Sequence, residues 1–124
     1  MAPTRAAFIR RADAQCSKGN DEETAAIRAY AKEKHAGSAQ SPEEGLLLAV
    51  VLPSIRENVE RLGGMDAPSG DEGMVQAIVA ADEKAIERAE ADPSSALSAD
   101  RSRSPFARGA KLSKRYGFKV CGQY

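Results

Sequence analysis

The clearest apolar pattern in the chain is Leu48, Leu52, Ile55, Val59 and Leu62, spaced by alternating steps of four and three. That spacing draws a single stripe along a helix. Ser41 is placed to cap its start, Pro42 takes the first helical position, and Glu44 stands where a capping box needs it. Gly63 and Gly64 end the pattern. Pro53 lies inside it and should kink the helix, because proline lacks the backbone donor that the ladder requires.

Weaker periodicity flanks this segment. Phe8, Ala12 and Cys16, followed by Ile27 and Tyr30, fit a first helix over about residues 3–35, with Pro3 tolerated near its start. Ser17, Lys18, Gly19 and Asn20 are its weak point; one long helix is favoured, and a break at Gly19 is the alternative. Residues 36–40 read as a loop. Ser69 or Asp71 would cap a third helix reaching about residue 91, with Met74, Ile78, Ala81, Ala85 and Ala89 on one face. Asp92 and Pro93 stop it. Residues 94–104 are polar, with room for a short turn around Ala96 and Leu97. Pro105 opens a fourth, short helix to about Tyr116, which Gly117 terminates. The last seven residues are too few and too mixed for an element of their own.

Short connections make sequential helices antiparallel neighbours. The expectation is therefore all-α: an antiparallel bundle of three main helices plus a short fourth, in one domain over residues 1–124, the tail folding back toward helix 1. Composition agrees. Alanine dominates the apolar residues, aromatics are 5% and tryptophan is absent, a balance that favours helix over sheet. A core built on alanine buries little area per residue, so its hydrophobic stabilisation is thin. If the Leu48–Leu62 stripe were exposed, it would mark a dimer seam or a groove for a partner helix. Monomer and dimer both stay open. No apolar run is long enough for a transmembrane helix.

Two cysteines, Cys16 and Cys121, lie near the two ends. They read either as buried free thiols, the default in a reducing compartment, or as a bridge. A bridge would close a loop of 105 residues, worth on the order of 4–5 kcal/mol in the chain-entropy account.

Charge is distributed unevenly. Residues 1–18 carry net +3, residues 19–100 net −10, and residues 101–124 carry seven bases and no acid, so the whole is neutral. Within the basic segment Arg108, Lys111 and Arg115 follow i, i+3, i+7, one stripe of a helix, with Phe106, Leu112 and Tyr116 left for the packed side. The expectation we favour is internal: the basic tail docks on acidic helices, giving Arg108, Lys111, Lys114 and Arg115 carboxylate partners. The alternative makes Arg108, Lys111 and Arg115 a site for an anionic ligand.

Catalytic and metal chemistry find little material. His35 is the only histidine and sits at a predicted helix end, where solvent or the helix dipole accounts for it. The paired acids Glu22/Glu23, Glu43/Glu44, Asp71/Glu72 and Asp82/Glu83 fall in helix starts or on charged faces and read as solvated surface. One histidine, three methionines and two cysteines give no recognised metal spacing. No enzyme activity, cofactor or metal is expected.

The opening Phe8-Ile9-Arg10-Arg11-Ala12-Asp13-Ala14-Gln15-Cys16 has the form F-x-x-x-A-D-x-x-C, and the ending Tyr116-Gly117-Phe118-Lys119-Val120-Cys121-Gly122 the form Y-G-[LF]-x-x-C-G. Together they resemble a group of small actinobacterial secreted proteins and lipoproteins. Between the ends, Pro53, the Pro68-Ser69-Gly70-Asp71 turn, Ala91-Asp92-Pro93 and Pro105-Phe106-Ala107 also fit that pattern; Gln15 departs from it, an apolar residue being usual there. The resemblance implies a Cys16–Cys121 disulfide, an extracytoplasmic location reached through an export segment preceding Ala2, and no particular activity. The function expected is a non-enzymatic binding or structural module of the cell envelope, its partner an anionic envelope component or another protein. The competing reading is a cytosolic nucleic-acid-binding protein using residues 101–124; without a nucleic-acid-binding signature, nucleic acid is not the expected partner.

Overall fold

The computed structural model describes residues 2–33 and 41–124. Every regular element among them is helical: α1 (Arg5–Lys32), α2 (Pro42–Leu46), a π-helical turn (Leu47–Val51), α3 (Leu52–Gly63), α4 (Glu72–Ala91), two 3₁₀ turns (Pro93–Ala96 and Arg101–Arg103) and α5 (Ala107–Tyr116). The predicted loop at 36–40 and His35 lie outside the described residues.

Helix α1 is continuous through Gly19 and is capped by Thr4, whose hydroxyl accepts from the Ala7 amide. Gly19 has a reason to be there. It is buried against α3, where a Cβ would lie 2.1 Å from Asn58 Oδ1. Ser41 caps α2 as expected, accepting from the Glu44 amide.

Pro53 is accommodated by widening the helix. The turn before it is π-helical, and the Leu52 amide donates to the Leu47 carbonyl, five residues back. Pro53 offers no amide to the Ala49 carbonyl, and the wide turn relieves the contact between that carbonyl and the proline ring. The extra residue shifts the buried face upstream. Leu52, Ile55, Val59 and Leu62 are buried as predicted, but Leu47 and Val50 replace Leu48, which is only half-buried. The stripe is core, not an exposed seam.

Helix α4 buries Val75, Ile78, Val79, Asp82, Ala85, Ile86 and Ala89. The predicted face was turned by one residue: Met74 is 44% exposed, Ala81 is half-buried, and the true stripe includes an acid. Asp71 occupies the position before α4 but caps nothing with its side chain. Its carboxylate is engaged elsewhere.

Pairings between helices fix their directions. Tyr30 Oη lies beside Gly45 and Asn58 beside Gly19, so α1 runs antiparallel to α2 and α3. Arg56 pairs with Glu90 while Gly63 lies against Val79, so α3 and α4 are antiparallel. Asp82 faces Gly109 while Asp71 meets Tyr116, so α4 and α5 are too. The order of packing is α1, α3, α4, α5, and the C-terminal tail returns from α5 to α1. The result is the antiparallel helical bundle that the sequence predicts.

Candidate functional site: a basic cleft beside a latched C-terminus

The end of α5 and the tail that follows it are held to α1 by three ties. Cys16 and Cys121 form a disulfide with their Cα atoms 5.4 Å apart. Three residues before Cys16, the Asp13 carboxylate accepts hydrogen bonds from the amides of Lys119, Val120 and Cys121, each 3.0 Å long. The chain turns into this position at Gly117, whose φ of 116° closes α5 in the left-handed region. Phe8, fully buried, packs its ring against Tyr116 and Phe118.

The third tie is a charged knot at one end of the bundle. Arg5, at the start of α1, donates from Nε and Nη2 to the two oxygens of Asp71, both at 2.7 Å, and Tyr116 Oη donates to Asp71 Oδ2 at 2.8 Å. The guanidinium also lies 5.0 Å from the centre of the Tyr116 ring. The hydrogen bonds from Arg5 hold the Asp71 carboxyl below the usual carboxylate range, outweighing the opposing effect of burial. Burial, then the bond to Asp71, pushes the Tyr116 hydroxyl up to about 12. The sequence suggests a cap or a solvated acid at Asp71; it instead ties α1, α4 and α5 together.

These ties use the residues on which the family resemblance rests. Phe8, Ala12, Tyr116 and Phe118 are core; Asp13 caps the tail; Cys16 and Cys121 are the bridge; Gly117 and Gly122 take positive φ. The two terminal motifs therefore describe one joint.

Held this way, the tail forms one wall of a cleft of about 560 Å³ alongside α5. Arg101 from the second 3₁₀ turn, Lys114 from α5 and Lys119 from the tail line it, with Ala110, Phe118 and Tyr124 supplying apolar surface. Among the described residues no acidic side chain lines the cleft. None of these three cations makes an ion pair among the described residues. A second groove of about 810 Å³ runs between α4 and α5, lined by Lys84, Arg88 and Arg108 together with several alanines.

The predicted ligand stripe is divided by this arrangement. Arg108, Lys111 and Arg115 are all exposed on α5, but Arg108 lines the α4–α5 groove while Lys111 and Arg115 line neither recess. The favoured expectation of internal charge docking is overturned. Among the described residues Arg108, Lys111, Lys114 and Arg115 make no ion pair with a carboxylate. The tail docks through its backbone amides, its disulfide and its rings, leaving its cations in solvent. Sequence reasoning missed Arg101 and Lys119 as partners of Lys114, since only the returning tail brings them together.

Among the described residues no three His, Cys, Asp or Glu side chains gather in a way that would hold a metal, and no described helix is long and apolar enough to cross a membrane. Comparison with protein families, with curated proteins and with solved structures finds no match.

Proposed function

We propose that this protein is a non-enzymatic binding module of an extracytoplasmic, oxidising compartment, secreted or anchored at the cell envelope, and that its basic end receives an anionic envelope component. The observation that carries this reading is the cleft. Arg101, Lys114 and Lys119 meet there from three segments, without an ion pair or an acidic side chain in the lining among the described residues. Like charges held together gain most from a ligand that neutralises them, and the apolar floor suits a group carrying short aliphatic parts. The buried disulfide supports the compartment, since reducing cytosol keeps thiols free. The resemblance of the terminal motifs to actinobacterial secreted proteins and lipoproteins points the same way.

The test is binding of the oxidised protein to phosphatidylglycerol-containing vesicles, to a polyglycerol phosphate polymer and to DNA and RNA, each over a salt series. The expected result is salt-sensitive binding to vesicles or polymer, lost on replacing Arg101, Lys114 and Lys119 together by Ala. Loss instead on replacing Arg108, Lys111 and Arg115 would move the site to the outward stripe. Weak binding that ignores salt would sink the proposal. Tighter binding to nucleic acid, with both thiols free in the producing cell, would favour the cytosolic alternative.

A further inference from the structure

Asp82 is 2% exposed, in the middle of the apolar stripe of α4. Its Oδ1 has no hydrogen-bond partner. That oxygen is pressed against the backbone of α5: a Cβ on Gly109 would lie 1.9 Å from it. Buried carboxylates are ordinarily paired, because an unpaired one loses its hydration with nothing in return. Among the described residues no ion pair engages Asp82, and its Oδ1 is left without a donor. The charged side chains of α3 (Arg56, Glu57, Glu60, Arg61) and of α5 (Arg108, Lys111, Lys114, Arg115) lie on outward surfaces, and the 3₁₀ turn Pro93–Ala96 packed on α4 has no titratable side chain. From the tail, the Tyr124 phenol lies within electrostatic reach, with Asn58 of α3 and Glu23 of α1 around it. Every titratable neighbour on this inner side is therefore an acid.

We infer that the seam between α4 and α5 is a pH-responsive joint: α5 and the tail close over Asp82 when its carboxyl is protonated, and the seam loosens when that carboxyl ionises. Burial alone raises the group from its ordinary 3.8 to about 7, no donor or cation opposing it. The glycine at 109 lets α5 approach closely enough to enclose Oδ1. The direction follows from proton counting. Between pH 4 and 7 the closed seam holds a proton that the opened, hydrated seam releases, so opening becomes easier as pH rises, by up to about tenfold per pH unit. Above about 7 both states are ionised and the dependence stops.

Amide hydrogen exchange on the oxidised full chain, corrected for intrinsic rates, reads this segment by segment from pH 4 to 9. Protection of residues 107–121 is expected to fall up to about pH 7 and then level off, more steeply than protection in α1. Asp82→Asn, the isostere of the neutral acid, is expected to remove that extra slope. A variant that keeps the wild-type slope, or equal slopes in α1 and α5, would overturn the joint. Should Asp82→Asn not fold, the carboxyl ¹³C shift of Asp82 in the unaltered protein decides: titration near 7 supports the joint, and titration near 4 rejects it.

Discussion

Among the described residues, three buried oxygens without a hydrogen-bond partner, on Asn58, Asp82 and Ser113, each face a glycine of a neighbouring segment: Gly19, Gly109 and Gly122. The hydrogen that each glycine carries in place of a Cβ points at the oxygen, a geometry in which Cα–H···O contacts give weak compensation. Adding a methyl there leaves it no room. Gly109→Ala is expected to cost about 1–3 kcal/mol, in the range of overpacked cores. Gly73, near the start of α4 with nothing within 4 Å of its Cβ direction, is the control; Gly73→Ala should be neutral or stabilising by up to about 1 kcal/mol, as for glycine in helices generally. Denaturant unfolding of both variants checks the contrast, and equal effects would mean the close approach at Gly109 is not rigid. Little of this was legible in the sequence. Asp82 stands at i+7 from Val75 and i−3 from Ala85, squarely in the stripe, yet an acid inside an apolar period reads as a surface residue. The signal is the missing apolar residue at position 82, whereas the stripe that apolar residues alone suggest runs Met74, Ile78, Ala81, Ala85 and Ala89.

At the scale of elements, the sequence was most legible where local chemistry decides the outcome. Ser41, Gly117 and the Leu52–Leu62 stripe took their predicted roles because caps and helical periods depend on near neighbours. Pro53 was legible as a disturbance but not in its form. A π turn adds a residue to one turn, so the buried positions fall at Leu47 and Leu52, five apart, where a regular helix would place Leu48. Asp13 was legible only as part of a resemblance, since its three amide partners are more than a hundred residues away. Removing it leaves those amides to find water or remain unpaired. Asp13→Ala is expected to cost about 1–3 kcal/mol, the usual range for a charge-assisted cap of partly buried donors. The loss should be local first: amides of residues 119–121 should exchange faster while α3 keeps its protection. Unchanged exchange at those three amides would show that the disulfide alone places the tail.

For the whole molecule, the architecture was readable and the site was not. An all-helical antiparallel bundle follows from composition, periodicity and short connections. The cleft requires the tail to return beside α5 and bring Lys119 into one recess with Arg101 and Lys114, a juxtaposition that no helical period encodes. The disulfide governs that return. Closing a span of 105 residues restricts the unfolded chain far more than the folded one, by about 4–5 kcal/mol in the chain-entropy account. The core is not the alanine-built one that composition suggests, since among the described residues its buried apolar side chains are mostly Leu, Ile, Val and Phe, with alanine at Ala12, Ala85 and Ala89. Even so, the bridge supplies a large share of a typical net stability of about 5–15 kcal/mol. The other two ties, Asp13 on the tail amides and the Arg5–Asp71–Tyr116 knot, do not depend on the bridge. The reduced chain is therefore expected to keep its helices at low temperature, by far-ultraviolet circular dichroism, while its denaturation midpoint drops. Because the loss arises in the unfolded chain, which expands once the bridge is cut, the denaturant slope should rise on reduction. Unfolding curves with and without reductant, and of a Cys16→Ala, Cys121→Ala variant, measure both quantities together. A fall in midpoint with an unchanged slope would assign the stabilisation to contacts at the bridge itself. A loss under about 1 kcal/mol, far below the entropic figure, would leave the carboxylate cap and the charged knot as what holds the two ends together.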